Sequence, residues 1–338
     1  MRFILSVLGG VVLAALGLEA TLQCLPVHSG VRMAQSSAAT PYAHYLPGQS
    51  YVYSHGWALA NMQRGTTSRD GFVHSKDIAA GANVLVTGDS FIESYMLRYE
   101  DTVQGRLDTA LGKVYAPASS GNGLADALVL ARHFLPLTHA KTMVVFVEPF
   151  DLRLIEYPAG RGHNYFGFDD GKVDIRHMPY VESNLKEKVL RSALLRYAYY
   201  NLKLPDWASG KVKPAEAASD NSTALAQHRA RRDAALDYFF AELGKLQQQY
   251  GTRFVFLVDG DREAIYSQGK KTTWPAEDRA ALLARLRTGG YAVADMQPVF
   301  ERHWATYGER MDFLPMDGHW NRVAHALAAK ELLPLLAK

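Results

Sequence analysis

The triplet Gly88-Asp89-Ser90 carries the residue types of a serine nucleophile. It follows the apolar run 84–87 and precedes a segment whose pattern predicts a helix. A serine at such a strand-to-helix turn has an exposed hydroxyl, and its N–H lies near the positive end of the helix dipole. Its hydroxyl attacks a carbonyl only when a base takes its proton. The triplet alone also fits a helix N-cap, so it needs a partner motif.

Asp317-Gly318-His319, near the other end of the chain, supplies that partner. His319 could take the proton of Ser90, and Asp317, two residues away, could fix the other ring nitrogen of the histidine. Asp312 is the alternative orienting carboxylate, because Asp317 could instead cap the turn. The two motifs together predict acyl-ester chemistry with Ser90, His319 and Asp317 as catalytic residues.

This pair of motifs resembles the SGNH (GDSL-type) hydrolase superfamily over roughly residues 81–338. The spacing of the second motif is similar to that of relatives that acetylate exported polysaccharides such as alginate. The resemblance implies a three-layer α/β sandwich with a central parallel sheet. It also implies a serine esterase or O-acetyltransferase that works through an acyl-Ser90 intermediate.

The family's oxyanion hole is matched only in part. The resemblance implies that the N–H groups of Ser90 and Gly121 contribute to it. In the third family block, an asparagine normally donates, but this chain reads Glu-Pro-Phe-Asp at 148–151 and places Phe150 there. Losing one such donor typically costs about a hundred- to a thousand-fold in rate. We therefore expect Asn122 to be the replacement donor.

Residues around the two motifs are expected to support them. Asp89 is expected to hold the nucleophile turn through backbone hydrogen bonds. Trp320 is predicted to pack beside the histidine and to contribute to substrate binding. Asn321 is predicted to cap the last helix, and His325 to be structural.

Short apolar runs alternate with helical periodicity from residue 81 onward, which predicts a parallel sheet covered on both faces. Side chains that follow the strands should then meet at the carboxyl edge of the sheet. The predicted strands are Asn83–Thr87, Lys113–Ala116, Thr142–Val147, Arg253–Val258 and Tyr291–Asp295. The predicted helices are Val103–Leu111, Gly123–Phe134, Ala226–Tyr250, Pro275–Arg287 and Asn321–Leu336.

Three regions follow from composition: a membrane segment at 1–25, an aromatic-rich lead-in at 26–80 and the α/β domain at 81–338. The lead-in could be a sugar-binding lip or could simply pack on the domain. An insertion at 151–225 interrupts the alternation and could be a lid, a glycan-binding wall or a passive excursion. Within it we expect a loop at 161–168, a helix at 182–204 and a surface loop at 209–223.

The composition, the charge and the N-terminal apolar run limit the classes of function that fit this sequence. The net charge of +3 over 338 residues gives no case for nucleic acid, and the single cysteine, Cys24, allows no internal disulfide. The twelve histidines are scattered without a metal-binding spacing, so no metal or cofactor is expected. The apolar run 3–18 predicts an anchor in the inner membrane with the domain on the periplasmic side. The alternative is a signal peptide cleaved near Gly17, which gives a secreted protein.

These observations favour an exported esterase or O-acyltransferase that acts on a carbohydrate, with an exopolysaccharide as the favoured substrate. Family analogy adds a membrane-bound protein as acyl donor. One alternative is a non-catalytic scaffold or binding subunit of a polysaccharide assembly complex, which Phe150 favours. Another is a glycosidase that uses Glu148 and Asp151 as its carboxylate pair.

Overall fold

The computed structural model describes residues 2–37, 39–77, 81–183, 187, 190–204 and 222–337. Its strands are β1 (Ser50–His55), β2 (Ala60–Thr66), β3 (Val84–Thr87), β4 (Val114–Tyr115), β5 (Thr142–Val147), β6 (Asn164–Asp169), β7 (Lys172–His177), β8 (Arg253–Val258) and β9 (Ala292–Asp295). Its helices are α1 (Arg2–Gln23), α2 (Ser90–Glu93), α3 (Val103–Leu111), α4 (Leu124–Thr138), α5 (Pro149–Arg153), α6 (Ala193–Arg196), α7 (Ser222–Tyr250), α8 (Arg262–Tyr266), α9 (Ala276–Thr288), α10 (Met296–Tyr307) and α11 (Arg322–Leu336).

The predicted parallel sheet is confirmed. Five parallel strands lie in the order β4-β3-β5-β8-β9. The order reverses between β3 and β5, because the chain goes outward to β4 and then returns to the other side of β3. In sheets of this kind a crevice opens at the carboxyl ends of the strands where the order reverses. Ser90 follows β3 and Glu148 follows β5, so both lie at this point.

Two apolar layers cover the sheet, which makes the fold a three-layer α/β sandwich as predicted. Alternate residues of one strand point to opposite faces. On one face, Met143 and Val145 pack with α4, α7 and α9. On the other, Val144 and Phe146 pack with α3, α10 and α11. Both clusters are almost fully buried, so the sheet rigidly fixes the loops at its carboxyl edge.

The lead-in and the insertion each contribute an antiparallel hairpin. β1 and β2 form the first, and Tyr51 and Tyr53 on β1 are buried. This packing is the second of the two roles expected for the lead-in aromatics. β6 and β7 form the other hairpin, with Phe166 in the core. The prediction of a loop at 161–168 is therefore wrong for residues 164–168, because they pair with the strand that follows the turn at Gly171.

The prediction of one helix at 182–204 is also wrong within the described residues. The chain instead makes the short helix α6, capped by the Ser192 side chain, and continues as a π-helical turn, Tyr197–Asn201. The predicted surface loop falls almost wholly at 209–221, outside the described residues. The three-region division of the chain stays a prediction.

The N-terminal helix has the length and composition to cross a membrane. Its candidate span Phe3–Gln23 is 21 residues long. The most apolar 18 residues of this span have a mean hydropathy of 2.2, and none of them is buried against the rest of the chain. A signal sequence would have the same properties. The helix therefore fits both a membrane anchor and an export signal.

Candidate active site

The nucleophile turn is a tight connection from β3 to α2. The Asp89 side chain accepts a hydrogen bond from the Phe91 N–H at 2.8 Å and caps the helix. Gly88 must lack a side chain, since a β-carbon there would collide with Ile92 and lie 2.9 Å from the β-carbon of Phe146. This turn lifts the Ser90 hydroxyl above the carboxyl edge of the sheet. The role expected for Asp89 agrees with this hydrogen bond.

The structure brings the three predicted catalytic residues together. His319 Nε2 lies 2.8 Å from the Ser90 hydroxyl, and His319 Nδ1 is hydrogen-bonded to Asp317. The Asp317 carboxylate also accepts the backbone N–H of His319 at 2.9 Å. Because Asp317 holds the proton on Nδ1, the lone pair of Nε2 faces the serine, as a general base requires.

The charge on Asp317 is stabilised within the site. Burial alone would raise the pKa of its carboxyl, but the hydrogen bonds and charge of His319 outweigh burial and lower the pKa to about 2. Asp317 is therefore ionised at any pH at which the site could work. Asp312, the alternative, is instead bonded to Arg310 at 2.9 Å and does not orient the histidine.

Several residues that the sequence patterns did not single out hold the histidine loop. Arg262 donates to the Gly318 carbonyl at 3.0 Å, and its guanidinium lies 5.1 Å from the ring centre of Phe91. Phe91 in turn packs against the His319 ring at 4.8 Å. Tyr53, from the lead-in hairpin, is close enough to Asp317 for that charge to add to the effect of burial in raising the tyrosine pKa. Single side chains far apart in sequence carry no motif that could have revealed them.

Trp320 corrects a prediction. It is fully buried, its indole N–H donates to Asp259 at 2.9 Å, and it packs against Phe146 at 5.1 Å. A side chain in this position cannot touch substrate, so the expected contribution to substrate binding is wrong. Its role is to tie the histidine loop to the end of β8.

Two backbone N–H groups can stabilise an oxyanion. Those of Ser90 and Gly121 have no hydrogen-bond partner within the described part of the chain. Gly121 has a φ of +91°, a conformation that side chains rarely adopt. The turn is held from below by Glu93, whose carboxylate accepts both the N–H of Ser120, at 3.1 Å, and its hydroxyl.

Asn122 lies beside this turn, but most of its hydrogen-bonding groups already have partners. Its backbone N–H donates to Ser119, and its side-chain amide donates to the Gly88 carbonyl at 3.2 Å. Its side-chain oxygen faces His163 Nδ1 at 3.1 Å. One amide hydrogen remains for an oxyanion, so its role as replacement donor stays a prediction. His163 is a further positioning residue that had no sequence signal.

A cavity of about 250 Å³ opens beside the oxyanion turn, at the reversal point of the sheet. Gly121, Asn122 and Phe150 line it, and Phe150 is the second residue of α5. Glu148 and Asp151 also line it. Burial and then neighbouring carboxyl charges raise the pKa of both well above the usual range.

Glu148 and Asp151 are not arranged as independent groups. The Asp151 side chain accepts the backbone N–H of Glu148 at 2.8 Å and so caps the start of α5. This bond leaves little support for a glycosidase pair. Within the described residues no group of three His, Cys, Asp or Glu side chains could hold a metal ion.

No family model and no curated protein matches this chain. Among solved structures, an alpha/beta hydrolase enzyme from the metagenome of Lake Arreo, Spain, is 11% identical over 76% of this chain and 95% of its own, with a TM-score of 0.43. A catalytic mutant of an acetylxylan esterase from Geobacillus stearothermophilus is 11% identical over 76% and 96%, with a TM-score of 0.40. A member of the lipolytic protein G-D-S-L family from Veillonella parvula is 11% identical over 75% and 98%, with a TM-score of 0.37. Because these scores are low, the function proposed next rests on the geometry of this chain.

Proposed function

We propose that this protein is an exported serine-dependent O-acyltransferase or esterase that acts on a carbohydrate, with an exopolysaccharide as the favoured substrate. The observation that carries the proposal is the hydrogen-bonded series from Ser90 through His319 to Asp317. Nucleophile, base and orienting carboxylate in this order support acyl transfer through a covalent intermediate.

The reaction begins when the Ser90 oxygen attacks the acyl carbonyl and its proton passes to His319 Nε2. The resulting oxyanion accepts hydrogen bonds from the N–H groups of Ser90 and Gly121. His319 then gives the proton to the departing alcohol, and the acyl group remains on Ser90. Water or a sugar hydroxyl next loses its proton to His319 and attacks the acyl carbonyl on Ser90. The bond between the acyl carbon and the Ser90 oxygen then breaks, and His319 returns the proton to that oxygen, which releases the product and restores the serine.

Transfer and hydrolysis differ only in which hydroxyl resolves the intermediate. We favour transfer to a sugar because an anchored protein with a cavity beside the nucleophile can hold an acceptor there and exclude water. Phe150 and Tyr165 border the cavity and offer aromatic faces on which a sugar ring can stack. A membrane-bound protein that supplies the acyl group is part of this proposal.

Turnover of a chromogenic acetyl ester by the purified protein tests the proposal. Ser90→Ala should reduce turnover to background, while Ser183→Ala, at an exposed serine, should leave it unchanged. Glycans added to the wild type would then reveal transfer as acetylated sugar formed in place of acetate. Equal background rates for wild type and Ser90→Ala would instead favour the non-catalytic binding subunit.

A further inference from the structure

The helix α1 is fixed to the folded chain at its last turn. The Glu19 carboxylate accepts the Ser192 hydroxyl at 2.7 Å and the backbone N–H groups of Ala193 and Leu194 at 2.9 and 2.8 Å. Glu19 on one helix therefore satisfies the free N–H groups at the start of another, α6. Leu22 adds an apolar contact with the same short helix. The anchor is thus a rigid extension of the domain.

Exposed apolar side chains come from segments that meet at this junction. Trp57, Leu195 and Tyr199 are 79%, 45% and 51% exposed, and we call them the collar. Leu195 belongs to α6, and Tyr199 to the turn that follows it. Tyr197, in that turn, donates to the Trp57 carbonyl at 2.7 Å and so holds the β1–β2 turn against it.

Such exposure of large apolar side chains around one point marks a contact surface. We propose that the collar lies in the headgroup region of the bilayer that α1 spans. The inference rests on the anchor in the proposed function but not on its chemistry. The candidate span Phe3–Gln23 is 21 residues long, and a bilayer core takes about 20. Chain segments in contact with the last turn of α1 therefore lie where the helix leaves the hydrocarbon. Tryptophan and tyrosine are the side chains enriched at that level.

The collar brings the catalytic centre close to the membrane. Asn201, at the end of the π-helical turn, donates to the Ser54 carbonyl on β1 at 3.1 Å. The neighbouring residue on that strand is Tyr53, which faces Asp317. Burial raises the pKa of Asp317, His319 lowers it by more, and Lys203 is near enough for its charge to add to that lowering. One strand therefore separates the collar from the triad, which suits substrates that stay at the membrane surface.

Spin labelling of the full chain in phosphatidylcholine nanodiscs tests the collar. Cys24→Ser removes the single cysteine, and Trp57→Cys or Leu195→Cys then carries a nitroxide. The matched control is Tyr307→Cys, at an aromatic residue that is 71% exposed at the end of α10. We expect the collar labels to collide with oxygen in preference to a water-soluble nickel chelate, by a ratio several-fold above that at 307. Thermal unfolding checks that each variant is folded.

A label introduced by Val11→Cys, in the middle of α1, separates the possible failures. Hydrocarbon exposure at 11 with collar labels as accessible to nickel as the control would overturn the collar and leave the anchor standing. Aqueous exposure at 11 would overturn both. Ester turnover of the same variants reports on the catalytic proposal independently, because none of the labelled positions contacts the triad.

Discussion

The carboxyl groups on the two sides of the nucleophile turn have pKa values shifted in opposite directions. Asp317 faces the base, and its pKa falls to about 2 because the bonds from His319 outweigh burial. Glu93 lies beneath the turn, fully buried, and burial raises its pKa to about 7 although Ser120 donates to it. Burial acts in the same direction on both. The comparison teaches that the charge of a histidine partner keeps a buried carboxylate ionised, whereas the neutral donors of Ser120 and Tyr45 do not outweigh the burial of Glu93.

Asp89 resembles Glu93, because burial raises its pKa too. Its side chain is buried at the start of α2, and burial raises its pKa to about 6 despite the hydrogen bond from Phe91. The turn thus rests on carboxyls that hold protons more readily than usual, while the charged carboxylate stands behind the histidine. A protonated carboxyl near the oxyanion opposes catalysis less than a carboxylate does, and below about pH 6 both Asp89 and Glu93 hold their protons.

The largest expected effect is the loss of turnover when the charge of Asp317 is removed. Asp317→Asn keeps the size of the side chain but removes the charge that fixes the His319 tautomer. By analogy with other serine triads, we expect turnover to fall about ten-thousand-fold. Steady-state kinetics on a chromogenic acetyl ester measure this. The matched control is Asp312→Asn, which loses a bond to Arg310 and should keep turnover once shown to be folded. Equal losses in both variants would contradict the assignment.

The second prediction concerns the pH dependence of stability that the buried Glu93 causes. An ordinary glutamate loses its proton near pH 4.5, but folded Glu93 keeps it up to about pH 7. The folded state therefore binds more protons in this window, and the free energy of unfolding falls as pH rises through it, by roughly 3 kcal/mol. The groups that face Glu93 are Ser120, Tyr45, Tyr51, Tyr95 and Asp89. Glu93→Gln should flatten this dependence in urea unfolding between pH 4.5 and 7. If the free energy of unfolding changed with pH equally in the variant and the wild type, the role of Glu93 would be refuted.

A smaller effect is expected on catalysis from the same residue. Glu93→Ala removes the acceptor that holds Ser120, so Gly121 loses its fixed place in the oxyanion hole. We expect kcat to fall about a hundred-fold with KM little changed, since misplacement of a catalytic group costs this much. Glu93→Gln, which still accepts from Ser120, should restore most of kcat. A change in KM alone would place Glu93 with substrate binding instead.

The smallest effect concerns the support of the histidine loop. Asn321 accepts the N–H of Val323 at 2.8 Å as the cap of α11, and its amide donates to the Arg310 carbonyl at 2.8 Å. Asn321→Ala should lower the free energy of unfolding by about 2 kcal/mol. Residual turnover at low temperature should stay near that of the wild type. A loss of turnover without a loss of stability would give Asn321 a direct catalytic role.

The sheet and the central site could be predicted because both have local signals. Apolar runs such as Thr142–Val147 mark buried strands, and the strand-to-helix position of Ser90 marks a nucleophile turn. The predicted cap at Asn321 is confirmed for the same reason. Roles that depend on packing were out of reach. Trp320 has the sequence position of a site residue but is buried. The aromatic Asn164–Asp169 segment, which could equally lie in a loop, forms a strand because Lys172–His177 pairs with it.

The order of the proposed catalytic residues along the chain has a consequence for biosynthesis. Ser90 and His319 are 229 positions apart, and the base precedes only the final helix. A chain that is made and threaded across a membrane from its N-terminus presents the serine long before the histidine follows. The serine therefore stays chemically silent until the last helix docks against the sheet. Under the proposed function, completion of folding activates the centre, so that an exported chain would not be acylated on Ser90 before its last helix is in place.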